Sequence, residues 1–448
     1  MEKRIFGSTD GIRGRVGEAP LRPKILANLG RQIAKKAYAQ KVLMGRDTRE
    51  SGMWMADYLQ EGLEAEGATV ENFGVLPTPA VQAIIQNSGE YDAGVMLTAS
   101  HNPATDNGIK VFGADGDKIT DEQELAIEEA YFADKVVDDE DAPDEVRFVP
   151  ELRESSLKFY EQLVAEKIGD KGFDGQKIVL DAASGAGHVF SKKVFEEFEL
   201  DVEQIDPEPT GKNINEGYGA LYPEKLAEET REQGLIGVAL DGDADRIVLA
   251  DEEGRIWDGD RIVILIAEYL KSLGKLPEDT VVLTEYSNLA TINYLEDEGI
   301  HVAKVVNGDR AVAQKCRELG GILGGELAGH IIYLPWLRGS DGTFMALMIM
   351  RIVQESGKRL ADLWADYENL PSRQWGLFVK EKKPVEEIPG YSEAVREAGE
   401  RFAGKGRVFV RYSGTENKIR ILVEGEDDAL VDEIGEGLAG IIKKEIGA

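Results

Sequence analysis

The stretch Val95–Phe112, VMLTASHNPATDNGIKVF, joins an apolar run to a crowded polar turn. The run VMLTA is typical of a buried strand, and Ser100 and His101 follow it before Pro103 blocks further regular structure. Lys110 lies ten residues after the serine. A strand that ends in small reactive side chains indicates a functional loop at the edge of an α/β sheet.

Ser100 and His101 are neighbours in an extended segment, so we expect their side chains on opposite sides of the chain. His101 is then poorly placed to deprotonate Ser100, and the sequence has no G-x-S-x-G elbow, which argues against a serine hydrolase. A phosphorylated serine fits better. It bears about two negative charges, and it requires a divalent cation, basic neighbours such as Lys110 and Arg246, and a phosphorylated substrate.

Strands and helices alternate along the whole chain, which favours α/β layers with parallel strands. Three segments share a β-branched run, a polar turn and a helical stretch: KVLMGRDTRESG at 41–52, KIVLDAASGAGH at 177–188 and TVVLTEYSN at 280–288. Each is followed by a second strand with a polar loop: AGVMLTASHNP, IGVALDGDADR and GGILGGELAGH. The pattern predicts a threefold repeat whose loops converge on one site, because ligands gather at the carboxyl ends of parallel strands.

Composition places the domain boundaries and excludes several classes of protein. An acidic, Pro-broken segment near residue 150 and breaks near DEEGRIWDGD and YENLPSRQWG predict domains over 1–152, 153–253, 254–370 and 371–448. The net charge of −32 argues against nucleic acid as a partner. The longest apolar runs are too short for a bilayer, the N-terminus has no signal core, and the single cysteine, Cys316, fits a reducing compartment, so we expect a cytoplasmic protein without a membrane partner.

The segment VALDGDADRIVLAD places Asp241, Asp243 and Asp245 at alternate positions after a strand. Alternate side chains of an extended loop share one side, so three carboxylates can meet one hard cation, and Mg²⁺ is the expected ion. An EF-hand calcium loop fits less well, because Arg246 stands where that loop requires glycine and because the flanking segments are predicted strands, not helices. An aspartyl phosphatase with Asp241 as nucleophile also fits less well, since threonine or valine is then expected at 245.

Two further loops carry groups that bind phosphates and sugars. The segment RYSGTENKIR at 411–420 combines backbone N–H donors and hydroxyls with guanidinium groups, the chemistry of a phosphate cradle. The segment GGELAGHIIY offers a carboxylate and an imidazole that can bind vicinal sugar hydroxyls. The candidate residues are Arg411, Ser413, Gly414, Thr415 and Arg420 for phosphate, and Glu326 and His330 for sugar.

Taken together, TASHNP, DGDADR, GELAGH and RYSGTENKIR resemble, in this order, the four signature loops of the α-D-phosphohexomutase family. The resemblance spans the whole chain. It implies an α/β fold of three related α/β domains with mixed sheets, plus a smaller C-terminal α+β domain, around a central cleft. It also implies reversible phosphoryl transfer between the 6- and 1-positions of a hexose phosphate, through a sugar 1,6-bisphosphate that turns over in the site.

Carried over by motif, the resemblance assigns a role to each candidate residue. Ser100 is the phosphoserine, and one of its phosphoryl oxygens joins Asp241, Asp243 and Asp245 as a ligand of one Mg²⁺. Arg246 neighbours the reacting phosphate, and Lys110, His101 and Arg13 are the candidates for proton transfer and charge stabilisation. Glu326 and His330 bind sugar hydroxyls, and the 411–420 loop holds the phosphate that does not react.

The sugar itself is left open at this point. The segments FGSTDGIRG and NINEGYGALYPE resemble the branch of the family that acts on glucosamine phosphates, and the near neighbours act on mannose or glucose phosphates. The sugar loop departs from both, because Ala328 stands where the family commonly has serine. A non-catalytic sugar-phosphate-binding protein is a third alternative, disfavoured by the retained Ser100. A homodimer is a candidate assembly.

Overall fold

The computed structural model describes residues 4–7, 11–134, 136, 140–143, 146, 148–169, 172–413 and 417–448. The first unit is a five-stranded mixed sheet in the order β1-β5-β4-β2-β3, with β1 and β5 antiparallel to their neighbours and β2, β3 and β4 parallel. Its strands are β1 (Ile12–Arg15), β2 (Lys41–Arg46), β3 (Thr69–Val75), β4 (Ala93–Leu97) and β5 (Asp106–Gly113). Its helices are α1 (Pro23–Lys36), α2 (Ser51–Ala65), α3 (Thr78–Ser88) and α4 (Asp121–Ala133).

The second unit repeats this topology in the order β10-β9-β8-β6-β7, with β6, β7 and β8 parallel and β9 and β10 antiparallel. Every residue of β4 and of its counterpart β8 is buried, as expected for central strands covered on both faces. The strands are β6 (Lys177–Asp181), β7 (Asp201–Gln204), β8 (Ile236–Leu240), β9 (Ile247–Ala250) and β10 (Ile256–Trp257). The helices are α5 (Glu154–Ile168), α6 (Ala186–Glu197) and α7 (Glu224–Gln233).

The third unit has four strands in the order β12-β11-β13-β14, again with parallel pairs on one side and an antiparallel pair on the other. The order of the four strands that the three sheets have in common therefore recurs in each unit, which confirms the predicted threefold repeat. The strands are β11 (Thr280–Thr284), β12 (His301–Val305), β13 (Leu323–Gly325) and β14 (Ile331–Tyr333). The helices are α8 (Gly259–Ser272), α9 (Leu289–Asp297), α10 (Asp309–Leu319) and α11 (Gly342–Ser356), and short 3-10 turns cover Pro277–Asp279 and Leu360–Leu363.

The fourth unit is smaller and entirely antiparallel within its sheet, which has the order β15-β17-β16. Helix packing on this sheet requires a glycine at Gly435, because a Cβ there would overlap the ring of Trp375. The predicted C-terminal α+β domain is thus confirmed. Its elements are β15 (Ser372–Phe378), α12 (Tyr391–Phe402), β16 (Gly406–Tyr412), β17 (Lys418–Gly425) and α13 (Asp428–Ile446), with a 3-10 turn at Val385–Glu387.

One hydrophobic core runs through the first three units, each of which also has a smaller cluster of its own, whereas the core of the fourth unit is separate. The carboxylate of Asp341 ties the second and third units together within that shared core. It accepts hydrogen bonds from Tyr160 Oη at 2.7 Å, from Trp336 Nε1 at 2.9 Å and from the backbone N–H of Phe344 at 3.0 Å. The last of these bonds caps the first turn of α11.

Two expectations from composition concern single features of the fold. Cys316 lies buried in α10, and burial raises the pKa of its thiol to about 12, so it is a packed thiol and not a nucleophile. Within the described parts of the chain, no helix combines the length and the hydrophobicity that a bilayer crossing requires.

Candidate active site

Ser100 lies in the loop that follows β4, where the first unit meets the second. Its side chain is buried, and its Oγ donates a hydrogen bond to Asp241 Oδ2 at 2.7 Å. The backbone of Ser100 has a φ of 51°, a left-handed conformation that is uncommon outside glycine and that marks functional loops. Its N–H is satisfied by Thr98 Oγ1 at 2.8 Å.

The left-handed conformation of Ser100 overturns one expectation. Ser100 Oγ lies 3.1 Å from His101 Nδ1, so the prediction that the two side chains point apart was wrong. Side-chain alternation holds for extended backbone, and the positive φ of Ser100 breaks it. Burial, together with Arg246 and Arg13, lowers the pKa of His101 to about 3, so the imidazole is neutral. Because the Ser100 hydroxyl donates its one hydrogen to Asp241, the tautomer with a proton on Nδ1 fits, and Nδ1–H donates to Ser100 Oγ.

A buried arginine and an asparagine hold the Ser100 loop in this shape. Arg49 is fully buried, pairs with Asp47 at 2.9 Å, and donates to the carbonyl oxygens of Ser100 at 2.9 Å and Asn102 at 2.7 Å. Asn215, from the second unit, donates to the same two carbonyls at 2.9 and 3.0 Å. Hydrogen bonds from these two side chains stabilise the strained loop by pairing carbonyl oxygens that the backbone of the loop cannot pair, and those from Arg49 are charge-assisted.

The three aspartates form a buried cluster that fits one cation. One carboxylate oxygen from each of Asp241, Asp243 and Asp245 lies within 4.8 Å of the others, and the cluster is the one such group among the described residues. Asp243 Oδ1 is buried and has no hydrogen-bond partner in the described part of the chain. The other oxygen of Asp243 accepts a hydrogen bond from Thr78 Oγ1. Buried, unsatisfied carboxylate oxygens are the donor set that Mg²⁺ takes.

One ammonium group offsets part of the negative charge of the triplet. Lys110 is buried, and its Nζ donates to Asp243 Oδ2 at 2.8 Å and to Asp245 Oδ2 at 2.9 Å. Burial and the two neighbouring carboxylates raise the pKa of Asp241 to about 7. Burial also opposes ionisation of Asp245, but Lys110 and His330 hold the pKa of Asp245 well below its usual range. The cluster therefore favours any further positive charge.

The third unit brings Glu326 and His330 to the same place. His330 Nδ1 lies 2.7 Å from Glu326 Oε2, and its Nε2 lies 3.2 Å from both Asp245 Oδ1 and Arg246 Nε. Burial and Arg246 lower the pKa of His330, but Asp245 and Glu326 outweigh them and raise it to about 10. The other oxygen of Glu326 accepts the backbone N–H of Gly308 at 2.7 Å.

Part of this cluster lines one cavity of about 560 Å³ between the first three units, and Ser100, Lys110, Asp241 and Asp243 are not in that lining. Arg13 and His101 come from the first unit, Arg246 from the second, and Glu326 and His330 from the third. The volume suits a ligand of the size of a sugar phosphate. The cavity is therefore built from loops of three units, as the repeat predicts.

The fourth unit presents its basic groups outside this cavity. Among the described residues, Arg411, Ser413 and Arg420 do not line it, and Gly414 and Thr415 lie outside the residues that the structure describes. Arg411 and Arg420 face each other across β16 and β17. Two like charges in direct register destabilise a sheet, which favours an anion between them. Lys382 Nζ donates to the carbonyl of Ser413 at 2.6 Å and adds a third cation.

Sequence reasoning missed several residues that shape the site. Arg49 lies in KVLMGRDTRESG, whose pattern predicts a strand, a turn and the start of a helix but no site residue, and Asn215 lies in NINEGYG, which supports only the resemblance. Thr78 follows a proline turn that carries no local signal. Polar residues directly after a buried strand were the available sign for Arg49. Their partners lie more than 50 residues away, so no short motif reveals them.

Comparison with known proteins places this site in a family. Models of the phosphoglucomutase/phosphomannomutase family match as alpha/beta/alpha domain I over residues 3–137, alpha/beta/alpha domain III over 258–370 and the C-terminal domain over 377–441. A phosphoglucosamine mutase of Bdellovibrio bacteriovorus is 37% identical over the full length of both chains, and one of Solidesulfovibrio magneticus is 39% identical over the same span. The chain belongs to the α-D-phosphohexomutase family. As a phosphohexomutase it is an enzyme, an intramolecular phosphotransferase of the isomerase class.

Solved structures share the fold of this phosphohexomutase. A phosphoglucomutase/phosphomannomutase family protein from Burkholderia thailandensis has a TM-score of 0.77 at 22% identity, covering 98% of this chain and 97% of that one. The N-acetylphosphoglucosamine mutase of Aspergillus fumigatus, solved with GlcNAc-6P and magnesium, has a TM-score of 0.64 at 20% identity, covering 83% and 93%. At these identities the likeness concerns the fold, with its three α/β units and smaller C-terminal unit.

Proposed function

We propose that this phosphohexomutase interconverts glucosamine 6-phosphate and glucosamine 1-phosphate through phosphorylated Ser100 and a glucosamine 1,6-bisphosphate intermediate. The observation that carries the proposal is the 2.7 Å contact between Ser100 Oγ and Asp241, at a cavity lined by three units. The choice of glucosamine is supported by the full-length phosphoglucosamine mutase relatives at 37–39% identity.

Asp241, Asp243, Asp245 and an oxygen of phosphorylated Ser100 would hold Mg²⁺. The buried, partnerless oxygen of Asp243 supports this assignment. When bound, the ion supplies positive charge to the phosphoryl group during transfer. Lys110 brings a second buried positive charge to the same carboxylates, so the phosphoserine is neutralised from two sides.

The residues around Ser100 have separate roles in charge stabilisation and proton transfer. Arg246 lies beside Asp241, with its Nε 3.8 Å from Asp241 Oδ2, and stabilises the phosphate in transfer. His101 is neutral and can accept a hydrogen bond from a sugar hydroxyl, and Lys110 and Arg13 complete the candidates for proton transfer and charge stabilisation. Arg13 is held against the loop by the carbonyl of Ala99 at 3.3 Å.

The sugar and its second phosphate require both sides of the cleft. Glu326 and His330 bind sugar hydroxyls in the cavity. Because the described phosphate-loop residues do not line the cavity, the fourth unit has to approach it when substrate binds, which its separate core permits. The residues that would hold the non-reacting phosphate are Arg411, Ser413, Gly414, Thr415 and Arg420.

A sugar panel tests the choice of substrate. Mutase activity is measured with glucosamine, glucose and mannose 6-phosphates at saturating Mg²⁺ and a matched bisphosphate primer. We expect the largest kcat/KM with glucosamine 6-phosphate. Equal or greater efficiency with glucose or mannose phosphate would identify one of the neighbouring branches instead, and no turnover with any sugar would favour a non-catalytic binding protein.

Ser100→Ala tests the phosphoserine. The variant should fold normally, lose mutase turnover by at least about 1,000-fold, and fail to gain the mass of one phosphate after incubation with glucose 1,6-bisphosphate. The wild-type protein, treated in parallel, should gain that mass on the peptide containing Ser100. Near-normal turnover in Ser100→Ala would refute the mechanism.

The domain boundaries, the partner and the cellular compartment of this protein are also predictions. The domain boundaries at 152, 253 and 370 stay predictions, and β10 pairs with the second sheet just after the middle boundary. Hexose phosphate is the expected partner, and the cytoplasm the expected compartment.

A further inference from the structure

A short turn of the third unit, Tyr286–Leu289, packs against the fourth unit. It follows β11 and makes hydrogen bonds with three side chains of the fourth-unit sheet. Arg411 Nε donates to Tyr286 Oη at 2.9 Å, and a terminal nitrogen of Arg407 donates to the carbonyl of Ser287 at 2.6 Å. The backbone N–H of Leu289 donates to Glu424 Oε2 at 3.3 Å.

The two arginines lie on one face of β16, and Glu424 lies opposite Arg407 on the neighbouring strand β17. Arg407, Phe409 and Arg411 alternate along the strand and therefore share a side of the sheet. The ring of Phe409 meets the ring of Tyr286 edge to face, with centroids 5.8 Å apart. Tyr286 thus contacts both an apolar and a cationic side chain of this face, and the guanidinium carbon of Arg411 lies 5.1 Å from the centre of its ring.

The turn is itself held rigidly. The side-chain amide of Asn288 donates to the carbonyl of Leu370 and accepts from its N–H, each at 3.0 Å. The backbone N–H of Asn288 donates to the buried carboxylate of Asp260 at 2.9 Å. Leu370 directly precedes the fourth unit, so the turn is fixed to the segment that carries that unit. In this arrangement of the units, a side chain on the turn therefore has a defined position relative to β16.

We propose that Tyr286 is a positioning residue for phosphate binding: its hydroxyl orients the guanidinium of Arg411 through Nε. This inference rests on the proposed function, because it takes Arg411 as a phosphate ligand. A guanidinium binds phosphate through a planar pair of N–H groups, so fixing its plane beforehand lowers the cost of ordering it on binding.

The chemistry of the tyrosine suits this role. Arg411 faces Arg420 in the sheet, and a phosphate bound by this pair is attracted by both positive charges. A partner of Arg411 therefore has to orient the guanidinium without neutralising its charge. A carboxylate at 286 would compete with the phosphate for the guanidinium, whereas a phenol hydroxyl is an uncharged acceptor. The tyrosine belongs to the third unit, which makes phosphate affinity depend on how the fourth unit docks.

Tyr286→Phe is the direct test, because it keeps the ring contact with Phe409 and removes only the hydroxyl. Loss of one positioning hydrogen bond, at the net value of an ordinary intramolecular bond, corresponds to about a five- to tenfold change in affinity. We expect KM for glucosamine 6-phosphate to rise by about that factor, with kcat changed less than about twofold. Tyr294→Phe is the matched control, since it removes a hydroxyl bond to Glu268 at 2.7 Å elsewhere in the third unit, and it should leave KM unchanged.

Arg411→Lys and the double variant separate this inference from the proposed function. If Arg411→Lys leaves KM unchanged, the phosphate role of Arg411 fails. If Arg411→Lys raises KM but Tyr286→Phe does not, only the role of Tyr286 fails. Support requires that Tyr286→Phe adds less than about twofold in the Arg411→Lys background. A full five- to tenfold increase there would mean that the hydroxyl acts on docking in general, and would overturn the inference.

Discussion

The ammonium group of Lys110 offers a quantitative test of the aspartate cluster. Its Nζ lies 2.8 Å from Asp243 Oδ2 and 2.9 Å from Asp245 Oδ2, and all three side chains are buried. Lys110→Met keeps most of the side-chain length and removes the charge. The two carboxylates then remain buried beside each other without their cation.

The size of the effect follows from these distances. At 2.8 Å and an effective dielectric constant of 20, each ion pair contributes about 6 kcal/mol of Coulomb attraction, most of it offset by desolvation. Breaking a buried pair by removing one partner costs about 3–5 kcal/mol. We therefore expect Lys110→Met to lower the free energy of unfolding by about 3–5 kcal/mol in EDTA. Saturating Mg²⁺, bound to the same carboxylates, should reduce that loss to below about 2 kcal/mol.

Urea denaturation of wild type and variant, each in EDTA and in MgCl₂, measures both quantities. Lys118→Met is the matched control, because Lys118 pairs with Asp309 at 2.7 Å and not with the triplet. Its cost should be the same in both buffers. An equal loss for Lys110→Met with and without Mg²⁺ would show that the ammonium group and the metal do not share carboxylates, and would refute the assignment of the cation site.

Two further predictions concern stability away from the metal. Asp341→Ala leaves three buried donors without their acceptor and should cost about 3–5 kcal/mol, while Asp341→Asn keeps an acceptor oxygen and should lose about half as much. Equal thermal midpoints for the two variants would contradict this. Burial, with Glu197 and Glu154 nearby, raises the pKa of Glu161 in the folded protein to about 7. In the unfolded chain this carboxyl group has its usual pKa of 4.5, so between these two pH values the folded protein holds a proton that the unfolded chain has released. Wild type should therefore lose stability relative to Glu161→Gln as the pH rises from about 4.5 to 7, and the difference should stay constant above pH 7. A difference between their unfolding midpoints that does not depend on pH would contradict this prediction.

Much of the fold was predictable because it depends on local patterns. The β-branched runs that end in polar turns mark β2, β6 and β11, and these strands occupy equivalent places in three sheets. The alternation of Asp241, Asp243 and Asp245 predicts one cluster, and their oxygens do converge. Both patterns repeat within a few residues, so a single segment carries the information.

The predictions that failed or were missed depend on contacts between distant segments. Ser100 was expected to point away from His101, but Arg49 and Asn215 hold the loop in a left-handed turn that brings the two side chains to 3.1 Å. Arg411 was predicted from its motif, whereas its partner Tyr286 lies 125 residues earlier in the chain. No local rule states which carbonyl a buried arginine reaches.

The sequence by itself determined the α/β repeat, the family and the chemical types gathered in each loop, because hydrophobic periodicity and side-chain chemistry are properties of short segments. The tertiary structure alone decided that Lys110 reaches the aspartate triplet, that Ser100 meets Asp241, and that Arg411 meets Tyr286 of the third unit. The physical reason is that charges and hydrogen bonds act over a few ångströms, and only the packing of separate units brings groups this distant in sequence within that range.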